Sequence, residues 1–183
     1  MTATTANEVQ NLTFHAPIRA GFMAEEGRVK ASIDYSSQEM MIAAVFSGDP
    51  TLLGAFQQPK EVTEIDGSVY KNPFADIHAL NAVYCTHPHL FENVPEKEWV
   101  AIAKDESLTN HKGDARSKAK NLGYGTIYDQ TPQGMSDLYN VPLETAKEWH
   151  RRHRETYPKF HEWKEWNAHI GETRGWIENP YGR

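Results

Sequence analysis

Arg116-Ser-Lys-Ala-Lys120-Asn-Leu-Gly-Tyr124-Gly-Thr-Ile-Tyr128 is the stretch from which the chain is best read. Arg116, Lys120 and Tyr124 recur at i, i+4 and i+8, and Tyr128 extends the row by another turn. A helix over about 114–128 therefore lines up two cations and then two aromatic rings on one slowly drifting stripe. Positive charge near a helix N-terminus adds to the unpaired backbone N–H groups there and suits a triphosphate, and the rings beyond it suit a sugar and a base. A solvated basic face merging into core tyrosines is the plainer reading of the same residues. Gly123 and Gly125 weigh against it, because each costs about 1 kcal/mol relative to Ala inside a helix and signals something packed close to the backbone; a base pair would meet that description.

Upstream, Val29, Ala31 and Ile33 alternate with Lys30 and Ser32, a period-two pattern that predicts a strand running into Asp34. Asp34-Tyr-Ser-Ser-Gln-Glu39 then sets one carboxylate at the strand end and a second in the first turns of a helix expected over about 36–46. A hard cation such as Mg²⁺ takes oxygen ligands and commonly one or two protein carboxylates beside substrate phosphates, so Asp34 has the chemistry of half such a site. Taken alone, Ser36-x-x-Glu39 also reads as a capping box.

The remaining organisation is mostly helical. Residues 1–13 read as a loose leader and 14–183 as one domain. Ser47-Gly48-Asp49-Pro50 stops the first helix, and Glu64-Ile65-Asp66-Gly67-Ser68-Val69 carries the Asp-Gly mark of a tight hairpin inside a surface insertion over 57–72. Helical patterns follow over about 74–84, 95–103 and 142–169, and Gly175-Trp-Ile-Glu reads as the start of a strand.

Composition narrows the field. A formal net charge of −6 argues against indiscriminate electrostatic binding of nucleic acid, so contact with DNA must come from a local cluster of Lys and Arg. The single cysteine, Cys85, excludes an internal disulfide framework and fits a reducing compartment, and no apolar run approaches the roughly 20 residues that span a bilayer. Cys85-Thr-His87-Pro-His89 holds zinc-type ligands but no second pair at finger spacing. His150-Arg151-Arg152-His153-Arg154 reads as the charged face of an amphipathic helix, with tracking of a DNA backbone as the alternative, and Trp149, Trp163 and Trp166 read as core or interface anchors.

Together, Asp34-Tyr-Ser-Ser-Gln-Glu39 and Arg116-x-x-x-Lys120-x-x-x-Tyr124-Gly-x-x-Tyr128 resemble, in order, the first two signature motifs of family A DNA polymerases. The resemblance extends to Ile18-Arg19-Ala-Gly-Phe22, Ser47-Gly-Asp49, Asp76-Ile-His78, Tyr157-Pro158 and Gly175-Trp-Ile-Glu-Asn-Pro-Tyr-Gly-Arg183, and so covers nearly everything from Arg19 onward. It implies an α+β, mostly helical fold: a palm strand plus the fingers helices of a right-hand polymerase, incomplete. It also implies template-directed addition of deoxynucleotides to a primer 3′ end by two-metal phosphoryl transfer with Mg²⁺. Asp34 would ligate both ions with help from the Tyr35 carbonyl. Glu39 would block a ribose 2′-hydroxyl, and His78, Arg116 and Lys120 would grip the triphosphate. Tyr124 would stack on the incoming sugar and base, with Tyr128 and Arg183 on the template and primer side.

Three departures stand out against that pattern: Met41 where relatives carry Arg, Asp129 where Gly usually follows the tyrosine, and the hairpin near Asp66. The family's third motif, which supplies the second metal-binding carboxylate, is expected beyond Arg183, so the isolated chain is expected to be nearly inactive. A partial gene product, an excised fragment and one half of a polymerase split between two polypeptides all fit, and a split half should show exposed apolar surface at the joint. The expected partners are primer–template DNA, deoxynucleoside triphosphates and, for a split enzyme, that second polypeptide. The expected compartment is the cytoplasm of a bacterium or of a phage-infected cell. Rival readings are a noncatalytic nucleic-acid-binding subunit derived from a polymerase, and a metal-dependent nuclease.

Overall fold

The computed structural model describes residues 25–29, 35–109, 113–179 and 182. Its residues group into two units, Met1–Ser36 and Ser37–Arg183. In the first, the Arg28 N–H donates to the Glu25 carbonyl at 3.0 Å in an exposed turn, and the Tyr35 ring is exposed. The leader over 1–13, Asp34 and Arg183 lie outside the described residues, and of the strand expected over 29–33 only an exposed Val29 is described.

The second unit is α+β and mostly helical, as expected. Helix α1 (Gln38–Ser47) begins where Glu, Met, Ile and Ala take over, but the capping box does not form. Ser37 holds the cap position at φ +54° without a side-chain bond to the helix, and its Oγ faces the His78 ring instead. Gly48, at φ +63°, ends α1 with its N–H on the Ala44 carbonyl, a conformation that glycine adopts without strain. Asp49 and Pro50 then start a second helix, α2 (Pro50–Gln57), rather than merely closing the first. The Asp49 Oδ1 accepts from the N–H groups of Thr51 at 3.0 Å and Leu52 at 3.1 Å, and Pro50 sits where a helix needs no N–H.

The hairpin forms as read. Strands β1 (Glu61–Thr63) and β2 (Val69–Lys71) pair antiparallel with Val62 opposite Tyr70, and Gly67 at φ +84° turns the chain. Helix α3 (Ile77–Asn81) runs into a π-helical turn over Ala82–Thr86, and α4 (Trp99–Ala103), α5 (Ala115–Ile127) and α6 (Pro132–Tyr139) follow. The sequence reading passed over α6, although Thr131 caps it by accepting from Gly134 N–H at 3.1 Å and Pro132 opens it. The long helix expected over 142–169 is two: α7 (Leu143–Thr156) and α8 (Pro158–Arg174). Pro158 cannot donate within a helix and pushes Tyr157 out of the helical region, to φ −126° and ψ 62°. The strand expected at Gly175-Trp-Ile-Glu is absent: Gly175 caps α8 at φ +77°, and Trp176 to Glu178 continue as exposed irregular chain that pairs with no strand among the described residues.

Two apolar clusters position α5. The larger joins Met40, Leu52, Leu80, Trp149, Tyr157 and Phe160 and receives Leu122 from α5. The smaller, with Val83, Phe91, Val100 and Ala103, receives Ala115 and Ala119. Asp49, fully buried, ties the ends together: its Oδ2 accepts from the N–H groups of Lys159 at 3.1 Å and Phe160 at 3.3 Å, so one carboxylate caps both α2 and α8. On its outer side α1 leaves Met41, Ile42, Val45 and Phe46 each more than 40% exposed.

Candidate functional site

Burial of Ala115, Ala119, Leu122, Gly123 and Thr126 fixes the rotation of α5, and the predicted stripe lies along its rim: Arg116 and Tyr124 half-buried, Lys120 and Tyr128 exposed. Asp76 organises the first part of this stripe. Its Oδ1 caps α3 by accepting from His78 N–H at 3.2 Å and Ala79 N–H at 3.1 Å, while both oxygens hold the Arg116 Nε, at 3.1 and 2.9 Å. Burial opposes a charge on Asp76, but the Arg116 hydrogen bond and charge and the Ala79 N–H outweigh it and keep the carboxyl below its usual range.

His78 is buried beside this pair. Its Nε2 lies 3.3 Å from Ser37 Oγ, its Nδ1 has no partner among the described residues, and its ring packs on Tyr124 with centroids 5.6 Å apart. Burial, then the Arg116 charge, push its pKa down to about 4 against the opposing pull of Asp76, with Lys120 adding to the depression. At neutral pH His78 is therefore an uncharged hydrogen-bonding group between two cations. The Lys120 Nζ stands 5.6 Å from the Tyr124 ring centroid on the outer side. His78, Arg116, Lys120 and Tyr124 thus converge, and Asp76 and Ser37, which sequence reading did not single out as site residues, position two of them. Glu39 lies in the first turn of α1, exposed and two residues beyond Ser37. Tyr128 is about 18 Å along the axis from Arg116, at 1.5 Å per residue.

One N–H at the start of α5 is taken within the protein: Asp114 caps the helix by accepting from Ser117 N–H at 2.7 Å. The partner pressed against Gly123 is the protein itself: a Cβ there would sit 2.9 Å from Asn81 Nδ2 and 3.5 Å from the Met40 sulfur. At Gly125 the Gln130 side chain fills the same space. Asn81 cannot readily yield, since its Oδ1 accepts from the buried Tyr157 hydroxyl at 2.5 Å.

The far end of α5 is held by α7 and α8. Thr126 Oγ1–H donates to the Gly123 carbonyl at 2.8 Å, so His153 must carry its proton on Nε2 to meet Thr126 Oγ1 at 3.4 Å. His153 Nδ1 then accepts from His161 Nε2–H at 3.0 Å. Burial drives the His153 pKa well below the usual histidine value, and burial with the Arg154 and Lys164 charges brings His161 to about 4, so both imidazoles are neutral. Beyond them, Lys164 donates to the Thr126 carbonyl and pairs with Asp129.

Residues 6–183 match the family model for DNA polymerase family A. The chain belongs to that family. It is 28% identical over 179 residues to the thermostable DNA polymerase I of Thermus thermophilus, covering 96% of this chain and 18% of that protein. It is 27% identical over 166 residues to the DNA polymerase of Mycobacterium phage D29, covering 91% of this chain and 22% of the relative. The chain thus spans about a fifth of the length of these relatives. Its fold matches the polymerase domain of Pol1 from M. smegmatis, solved with DNA primer–template and dNTP, at a TM-score of 0.56 and 21% identity over 82% of this chain and 21% of that one.

Elsewhere in this family A chain, Cys85 and His87 have packing roles. The Cys85 thiol faces Thr156 Oγ1 at 3.7 Å and is pushed up to about 12, chiefly by burial, while the His87 ring packs on Trp149. The arginines of the basic run on α7 are matched by carboxylates: Arg151 pairs with Glu148 and Glu155, Arg152 with Glu148, and Arg154 with Glu165, so the charged-face reading fits them, whereas His153 of the same run is buried in the core. Trp149 is buried and Trp163 stacks on Phe46 at 6.4 Å, but Trp166 is 63% exposed and is no core anchor. No helix of the described residues is long and apolar enough to cross a membrane.

Proposed function

We propose that the chain contributes the nucleotide-gripping helix and one metal-binding aspartate to template-directed DNA synthesis, in which a primer 3′-hydroxyl attacks the α-phosphorus of a deoxynucleoside triphosphate. The observation that carries this reading is the convergence of His78, Arg116, Lys120 and Tyr124 on one rim of α5, with Asp76 holding the Nε edge of Arg116. A guanidinium oriented by a carboxylate, an exposed ammonium and a neutral imidazole suit a triphosphate, whose charge the two cations offset in part while His78 adds a hydrogen bond. Tyr124 offers a ring face for sugar and base, Glu39 crowds a ribose 2′-hydroxyl, and Tyr128 and Arg183 serve the template and primer.

Asp34 and the Tyr35 carbonyl are oxygen donors of the kind that a hard cation takes, and they would hold Mg²⁺. When bound, the metal supplies neutralisation of phosphate charge and acidification of the attacking hydroxyl. The further carboxylate ligands that such a site needs would come from additional polypeptide, joined to this segment or separate from it; among the described residues, which do not include Asp34, no group of three or more His, Cys, Asp or Glu could hold a metal. The exposed Met41, Ile42, Val45 and Phe46 support a covering of this kind on α1. The relatives are bacterial and phage proteins, and we place the chain in the cytoplasm of a bacterium or of an infected host.

Primer extension with Mg²⁺ and deoxynucleotides tests the reading, comparing this chain with the same chain joined or mixed with the polypeptide encoded next to it. Extension abolished by Asp34→Ala and weakened about a hundredfold by Arg116→Ala supports it, since one preorganised charge is worth roughly 3 kcal/mol. DNA binding with no extension in either setting would establish a noncatalytic subunit instead.

A further inference from the structure

Asp129 has a backbone that its side chain does not favour. At φ +58° it lies in the left-handed region, where glycine is unstrained and other residues need an external hold. The hold is visible: the Asp129 carboxylate lies 2.5 Å from the Lys164 ammonium on α8, and the same ammonium donates to the Thr126 carbonyl in the last turn of α5. An isolated surface ion pair contributes little, because two mobile side chains must be ordered to make it. Here the Lys164 side chain is only 24% exposed, so much of that ordering is already done, and its charge sits at a helix C-terminus where carbonyls attract cations.

Between the two anchored positions stands Tyr128, 69% exposed, with its N–H shared by the carbonyls of Tyr124 at 3.2 Å and Gly125 at 3.1 Å. The Gln130 N–H returns to the Gly125 carbonyl at 2.8 Å, which closes the turn around Asp129. The backbone on both sides of Tyr128 is thus clamped, one side by α5 itself and the other through Lys164.

We propose that Lys164 is a positioning residue: its ammonium clasps Thr126 and Asp129, fixes the direction in which Tyr128 is presented, and thereby sets how strictly a templating base is matched to the incoming nucleotide. The role of Tyr128 in this statement rests on the function proposed above; the clasp does not. Lys164 touches neither nucleotide nor template and acts through the turn.

Two readouts on the full chain test it. Hydrogen exchange at residues 128–130 reports the clasp without any ligand. Equilibrium binding of a matched against a mismatched deoxynucleoside triphosphate, with primer–template present, reports its consequence. In Lys164→Met, which keeps an apolar stem, exchange should accelerate about tenfold and the preference for the matched nucleotide should fall about fivefold. Lys164→Arg should restore both. Asp129→Gly should loosen exchange without lowering the melting temperature, because the strained φ is relieved as one arm of the clasp is lost. Unchanged exchange in Lys164→Met would overturn the clasp, and faster exchange with an unchanged preference would overturn its role in matching. A parent chain that binds neither nucleotide would sink the proposed function and the matching role with it, while the exchange measurement would still decide whether the clasp exists.

Discussion

Asp49→Ala should be among the most damaging single substitutions in the chain. Both carboxylate oxygens are spent on backbone N–H groups, at 3.0 and 3.1 Å on α2 and at 3.1 and 3.3 Å on α8, and the residue is fully buried. Loss of one helix cap costs about 0.5–2 kcal/mol, and here one substitution removes two. The bonds from Leu52 and Phe160 are buried, so those two donors would be left without water, which places the total toward the upper end, at about 4 kcal/mol. Asp49→Asn keeps one accepting oxygen but turns an amide N–H₂ toward the donors of the other helix, so about half that loss is expected. Urea unfolding followed by circular dichroism measures it, and a melting point lower by about 8–16 °C should accompany the Ala variant. An Ala variant within about 1 kcal/mol of the parent would refute the double-cap account.

The two helical glycines Gly123 and Gly54 should respond in opposite directions to Ala. Gly123→Ala should cost about 1–3 kcal/mol, because its Cβ meets Asn81 Nδ2 at 2.9 Å, whereas Gly54→Ala meets nothing within 4 Å and should gain up to about 1 kcal/mol; equal melting points would contradict this. Acid should destabilise the fold before its carboxylates are protonated. His78, with a folded pKa of about 4, refuses a proton that the unfolded chain accepts near pH 6.5. Its contribution is complete above that pH and is lost as pH falls toward 4, by at most about 3 kcal/mol. The buried His153 acts in the same sense, and the depressed Asp76 extends the loss to lower pH. Urea midpoints from pH 4 to 8 should therefore fall on acidification, with a shallower slope in His78→Gln. If the function proposed above holds, the Tyr124 phenol hydroxyl would stand in for the missing 3′-hydroxyl of a 2′,3′-dideoxynucleotide, so in an active polymerase that contains this chain Tyr124→Phe should sharpen discrimination against such nucleotides; unaltered incorporation ratios would sink that role.

What the sequence determined by itself is what neighbours along the chain can settle. The stripe from Arg116 to Tyr128 follows from helical periodicity, and the hairpin follows from Asp66-Gly67, whose backbone demand is met within four residues. Even the helices passed over in reading it, α2 and α6, carry local starts in Asp49-Pro50 and Thr131-Pro132, and the break at Tyr157-Pro158 is a proline effect. Only the tertiary structure decided the partners of charged and buried groups. Asp76 meets Arg116 from 40 positions away, Asp49 reaches Phe160 across 111, and Asn81 fills the space that Gly123 leaves. A carboxylate or a glycine announces a need for a partner or for room, but hydrogen bonds act over about 3 Å, so the identity of that partner is fixed when packing of the two apolar clusters brings distant segments within reach.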